Sequence, residues 1–307
     1  MISRNVRCLK AAAETKLTER NVRPPLKWAG GKYRLLDKIK ELLPPGKRLI
    51  EPFVGSGVVF LNTTYPRYTI NDINQDLITF YRVLKKHGDE FIEFSRQFFV
   101  PGKNAPAPYY EIRKSFNSIK DDFLKSALFL YLNKHGYNGL CRYNASGELN
   151  VPFGRYKTPY FPEKELHFLH FKLRKTAISC RDFEPVMREA GSGDVIYCDP
   201  PYVPLSETSN FTTYSAGGFR RDEQIRLATV AEYVCRHGVT VLISNHHTQF
   251  TRQLYKHADL TTHLVRRLIS CDGNKRGLAD ELLALYLPSK MKKQRRMPND
   301  NPGRTGK

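Results

Sequence analysis

The stretch GKRLIEPFVGSGVVFLNTTY, residues 46–65, restricts the possible folds more than any other. It runs from a short apolar segment through a glycine turn into an apolar run of helical spacing, the sequence form of a strand that passes directly into a helix. RYTINDIN, residues 67–74, reads as a second strand ending at Asp72. Strand, helix and strand in that order predict a parallel sheet with helices on its faces. The alternation resumes with TAISCRDF (176–183), DVIYCDPPY (194–202), an amphipathic helix over 222–236, VTVLISNHH (239–247) and DELLALYLP (280–288). Between the two runs the pattern turns helical. DLITFYRVLKKH, DEFIEFSRQFF and DDFLKSALFLYLNKH predict three helices, with PGKNAPAP as a break among them. GYNGLCRYNASGELNVPFGRYKTPYF, residues 136–161, mixes glycine, asparagine and aromatics around a hairpin turn at Ser146-Gly147. The expected fold is an α/β sheet of the Rossmann kind with helices on both faces, interrupted by a mainly helical insertion that carries a β-hairpin.

Charge narrows the partners. The 307 residues hold 50 Lys and Arg against 30 Asp and Glu, a net charge of +20, so a polyanion is the natural ligand. The two tails carry half of that excess. Residues 101–160 hold nine basic and four acidic groups amid many Tyr, Phe and Asn, a mixture suited to phosphate and base contacts. No apolar stretch approaches eighteen residues, and the Arg-rich start has no apolar core of a signal peptide, so a soluble intracellular protein is expected. The six cysteines include no C-x-x-C pair, which argues against a disulfide framework or zinc finger. His246-His247 and the His167, His170 pair lack a completing carboxylate or cysteine set, and no metal is expected.

Two motifs carry chemistry. Gly55 and Gly57 let backbone approach a nucleotide-like ligand, and Asp72 stands where an acid binds ribose hydroxyls. A dinucleotide fingerprint would want a third glycine, and Val58, Val59 and Phe60 follow instead. An NAD(P)-dependent oxidoreductase is thereby disfavoured relative to a protein binding S-adenosylmethionine, with a purely structural turn also open. The stronger motif is Asp199-Pro200-Pro201-Tyr202 after an apolar strand. A planar exocyclic amine is a poor nucleophile until its nitrogen pyramidalises. The Asp199 carboxylate and the Pro200 carbonyl can accept its two hydrogens while the Tyr202 ring stacks on the base.

These stretches, with LKWAGGKYRLLDKIK, EPFVGSGVVFLN, DINQDLI, FLYLNKHGYNGLCRYN, GELNVPFGRYKTPYFPE, YCDPPYVPLS and ELLALY in one order, resemble the Dam-type DNA adenine methyltransferases over residues 24–288. The resemblance implies a Rossmann-like methyltransferase sheet, methyl transfer from S-adenosylmethionine to adenine in double-stranded DNA at GATC, and base flipping. It further implies cofactor contacts at Trp28, Lys32, Asp72 and Asp199, with Phe53 lining the same pocket. Tyr137, Asn138, Leu140, Arg142, Pro152 and Tyr156 match residues that fill the duplex and read the site. Lys27, Arg113 and Asn144 match base or phosphate contacts.

The implied domains are a flexible leader (1–24), a catalytic domain (25–75 and 160–288), a target-recognition domain (76–159) and a disordered basic tail (289–307). A cytoplasmic, bacterial or phage-encoded protein at the nucleoid, acting as a monomer or weak dimer on DNA and away from membranes, is the corresponding expectation. His247 stands where the family has an acid, and Lys134 where arginine is common. Two further readings stay open: an amino-group methyltransferase acting on cytosine, RNA or protein, and a DNA-binding relative without catalysis. The sequence does not choose among repair, replication control, phage defence and restriction-modification.

Overall fold

A computed structural model describes residues 21–202, 219–266 and 278–289. Seven strands form one sheet: β1 (Arg48–Glu51), β2 (Arg67–Asn71), β3 (Thr176–Ser179), β4 (Asp194–Cys198), β5 (Thr240–His246), β6 (Asp259–Arg266) and β7 (Leu278–Tyr286). Their order across the sheet is β3-β2-β1-β4-β5-β7-β6. The first five run parallel, and β7 lies antiparallel between β5 and β6.

Side-chain alternation splits the interior in two. Leu49, Val195, Tyr197, Leu242, Leu283 and Leu285 point into one apolar cluster. Their neighbours Ile50, Ile196, Cys198, Val241, Ile243, Leu282 and Ala284 point into another on the opposite face. A sheet buried on both faces needs such continuous apolar runs, and helices cover each side as expected. Helices Leu36–Leu42, Gln75–His87, Asp122–His135 and Glu163–Leu173 contribute to the first cluster, and Phe183–Arg188 and Arg221–Arg236 to the second.

Two elements differ from the sequence reading. Four helices, not three, occupy 75–135, because the proline-rich break itself opens the helix Pro106–Ser118. Pro106 and Pro108 lie in its first turn, where a missing N–H costs no intrahelical bond. The break proper is confined to a short 3₁₀ turn, Pro101–Lys103. The strand β6 was also not anticipated. DLTTHLVR lacks an apolar run because it is an edge strand, paired on one side only with β7.

Candidate active site

β1 and β4 are neighbours in the sheet, Ile50 opposite Ile196. The chain leaves β1 for β2 on one side, while β4 leads towards β5 on the other. This is the topological switch point, the crevice beyond the strand ends where open α/β sheets bind ligands. The two motifs read from the sequence both fall there: the glycine turn follows β1 and the tetrapeptide follows β4.

On the β1 side, Gly55 and Gly57 adopt left-handed backbone at φ +48° and +74°, which residues with a Cβ rarely accept. A Cβ on Gly55 would also lie 2.8 Å from Nε1 of Trp28, so glycine lets the indole press on the turn. The Gly55 N–H donates to Asp72 Oδ2 at 3.0 Å, and the Asn74 N–H donates to Oδ1 at 3.0 Å. Burial pushes the Asp72 carboxyl above its ordinary range, and these backbone donors oppose the rise. The Tyr81 hydroxyl fixes the turn from below by donating to the Gly55 carbonyl at 2.7 Å. Phe53 packs its ring against Phe183 and Phe219, with centroids 5.2 and 5.4 Å away.

On the β4 side, Lys32 crosses the crevice. Its ammonium lies 2.8 Å from Asp199 Oδ1 and 4.4 Å from the Tyr202 ring centroid. Ser244 on β5 donates to the same carboxylate oxygen at 2.9 Å. Burial raises the Asp199 carboxyl, opposed first by Lys32 and then by the Ser244 hydroxyl. Tyr202 donates its hydroxyl to Glu281 on β7, and its ring meets His246 edge-on at 4.3 Å.

The sequence reading missed Ser244, His246 and Glu281, whose partners are distant in the chain. It also missed Glu51 at the end of β1. This carboxyl is buried, with Oε1 unpaired among the described residues, and burial then Asp199 hold it well above the usual range. The structure places a carboxylate near His247 after all. Asp280 Oδ2 lies 3.7 Å from its Nδ1, and the His247 N–H donates to the Asp280 carbonyl.

A second cluster gathers the residues matched to DNA contacts. The helix Asp122–His135 ends in a tight turn, Tyr137–Gly139, with Asn138 at φ +52°. The Asn138 N–H donates to the Tyr156 hydroxyl at 2.9 Å, and the Tyr137 N–H donates to the Pro152 carbonyl. Tyr137 is 51% exposed. Lys27 lies with its ammonium 3.7 Å from the Tyr156 ring centroid and donates to the Lys134 carbonyl at 3.0 Å. Gly139 permits this, since a Cβ there would be 2.1 Å from that of Lys27. Arg113 donates to the Val151 carbonyl, and Leu140 packs against the first core cluster.

The predicted hairpin is present, with Tyr143 opposite Leu149. Arg142 is exposed and braced by Asn150, its Nε donating to Oδ1 at 2.9 Å. Asn144 spends its side-chain oxygen on the N–H groups of Ser146 and Glu148, stapling the turn, while its amide donates to Glu148. A short segment joins the two clusters. Lys27 faces the Tyr137–Gly139 turn, its neighbour Trp28 faces the glycine turn, and Asn133 clips Lys27 through both its N–H and its carbonyl at 2.8 Å. Among the described residues no group of His, Cys, Asp and Glu side chains is arranged to hold a metal, and no helix is long and apolar enough to cross a membrane.

A doubly covered sheet with these motifs at its switch point is the framework of a methyltransferase. Residues 28–268 match the D12 class N6 adenine-specific DNA methyltransferases, and the chain belongs to that family. It is 52% identical over 263 residues to the DNA adenine methylase of Escherichia coli (strain K12), across 86% of this chain and 95% of that protein. The DNA adenine methylase of Vibrio cholerae serotype O1 (strain O395) is 50% identical over 264 residues, 86% and 95% of the two chains. That of Serratia marcescens is 49% identical over 262 residues, 85% and 97%.

Proposed function

We propose that this adenine DNA methyltransferase takes its methyl group from S-adenosylmethionine and places it on the exocyclic amine of an adenine flipped out of duplex DNA, within GATC. The observation that carries this reading is the meeting of the glycine turn and the tetrapeptide at the switch point, with Lys32 bridging the crevice to Asp199. The residues fit the cofactor: left-handed Gly55 and Gly57 make a tight turn against which the flat Trp28 indole rests, Phe53 gives an aromatic wall, and Asp72 a buried acid beside the turn. When bound, S-adenosylmethionine supplies an electrophilic sulfonium methyl.

The chain's own residues do the rest. Asp199 and the Pro200 carbonyl accept the two amine hydrogens, so the nitrogen lone pair leaves conjugation with the ring. Tyr202 flanks the base. No strong base is needed before attack, because the proton becomes acidic only as charge develops on nitrogen; as the new N–C bond forms and the sulfonium S–C bond breaks, Asp199, which already accepts that hydrogen, takes the proton and passes it to solvent. Residues 76–159 read the duplex: Tyr137 and Asn138 fill the space left by the extruded base, Arg142 pairs with a guanine edge, and Leu140 and Pro152 meet a thymine methyl.

The test is expression in a host without adenine methylation, followed by digestion with nucleases that distinguish methylated from bare GATC. Asp199→Ala is expected to abolish methylation while retaining DNA affinity. Robust methylation by that variant would reject the catalytic assignment.

A further inference from the structure

The two prolines of the tetrapeptide create a difficulty that the structure resolves elsewhere in the chain. Proline fixes φ but removes the backbone donor, so neither Pro200 nor Pro201 has an N–H with which to anchor the turn. The carbonyl directions then depend on donors reaching in from other elements. One does so. Gln224, buried in the first turn of the helix Arg221–Arg236, donates from Nε2 to the Pro201 carbonyl at 2.8 Å.

The orientation of that amide is fixed by a chain of one-way hydrogen bonds. The His246 N–H can only donate, and it donates to Asn245 Oδ1 at 2.9 Å. Asn245 must therefore present Nδ2 to Gln224, and it donates to Oε1 at 2.9 Å. The Tyr255 hydroxyl also donates to Oε1, at 3.2 Å. With Oε1 doubly engaged, Nε2 is the atom left to face Pro201. Gln224 and Asn245 are fully buried, and a satisfied polar network in such a place is rigid and costly to break.

We infer that Gln224, oriented by Asn245 and Tyr255, is a positioning residue for methyl transfer: it pins the Pro201 carbonyl and thereby sets the direction of the Pro200 carbonyl that receives the adenine amine. The inference rests on the function proposed above. Gln224 does not touch the reacting atoms, and its effect passes from the Pro201–Tyr202 peptide that it holds to the adjoining Pro200–Pro201 peptide, the φ of Pro201 between the two being fixed by its ring.

Gln224→Met keeps the length and removes the amide. Its kcat is expected to fall about a hundredfold, the order of loss for a misplacement of about 1 Å, with KM for S-adenosylmethionine and for duplex DNA within about threefold of wild type. Gln224→Glu supplies a more specific readout. Protonated, the glutamic acid can donate to Pro201 and accept from Asn245 and Tyr255; ionised, it can only accept. Near this network the titratable groups are Tyr255, which burial pushes far above the working range, and, at the tetrapeptide, Asp199 with Lys32, Tyr202, His246 and Glu281, all of them common to both proteins and cancelled in the ratio of variant to wild-type kcat.

That ratio is expected to fall at least tenfold between pH 6 and 9, at temperatures well below the unfolding transition. Tyr255→Phe, which keeps the ring, is expected to lower kcat severalfold with little change in Tm. A ratio flat with pH overturns the inference, as does a parallel loss of kcat, both KM values and Tm in all three variants. Wild-type protein that transfers no methyl group to adenine would overturn the functional reading itself, whereas active wild type with a flat ratio overturns the positioning role alone.

Discussion

Lys134 offers the sharpest test of the proposed DNA-reading surface, because its proton reports on whether a polyanion comes near. It occupies the last turn of the helix Asp122–His135, just before the exposed Tyr137 turn. Burial, and then the charge of Lys27, push its ammonium down to about 8, while Glu165 opposes the fall. Above that pH the free protein holds Lys134 neutral. A duplex at the turn favours the charged form, so binding must take up the missing proton.

The size of the effect follows from this pKa. If Lys134 is fully protonated in the complex, the dissociation constant is raised by the reciprocal of the fraction of free protein that holds the proton, a factor of roughly 1.1 at pH 7 and about 11 at pH 9. The dissociation constant of wild type should thus rise about tenfold across that interval, about 1.4 kcal/mol. Fluorescence anisotropy with a labelled GATC duplex measures it, at one fixed ionic strength because phosphate contacts are salt-sensitive. Lys134→Arg, always charged, should bind with little pH dependence and tighter than wild type at pH 9; Lys134→Met should bind weakly at every pH. Lys27, also lowered by burial, is changed to arginine in parallel so that its own proton is separated. Wild-type affinity flat from pH 7 to 9, or the same slope in Lys134→Arg, would refute the reasoning.

Three further outcomes are expected. Arg142→Ala should relax discrimination at one base pair by about 1–3 kcal/mol while leaving the others intact, measured by competition with singly substituted duplexes; unchanged discrimination removes Arg142 from the reading set. Gly55→Ala must adopt left-handed backbone at a cost of about 1–2 kcal/mol and displace Trp28, so calorimetry should show S-adenosylmethionine binding weakened more than DNA binding. Ser244→Ala removes a hydrogen bond that lowers the Asp199 pKa. The carboxyl then titrates at higher pH, and since transfer needs its ionised form, the acid limb of the kcat profile should move upward; an unmoved limb would separate Ser244 from the chemistry.

How much of this was legible in the sequence depends on the range of the contacts involved. The glycine turn, Asp72 and the tetrapeptide were readable because each is set by adjacent residues: an apolar strand, then glycines or prolines that end it. The helix Pro106–Ser118 was hidden because proline breaks helices in the interior yet opens them at the first turn, and the pattern alone does not say which position applies. Gln224, Ser244 and Glu281 were hidden for a different reason, since their partners in the tetrapeptide lie 23, 45 and 79 residues away.

Strand register brings two of these residues to the site. Cys198 on β4 pairs with Ile243 on β5, so the next residues along, Asp199 just past the end of β4 and Ser244 within β5, come out side by side. One strand further, His246 pairs with Glu281, which carries the buried carboxylate to the Tyr202 hydroxyl. A one-residue slip in either pairing would turn these side chains to the opposite face of the sheet, leaving Asp199 without its hydroxyl donor and Tyr202 without its acceptor. The alternate residues of β4, β5 and β7 fill the two apolar clusters, so a slip would also exchange side chains of different shape between two close-packed faces. The packing of the core therefore fixes the chemistry at the rim, and substitutions such as Ile243→Ser should disturb catalysis through alignment as well as stability.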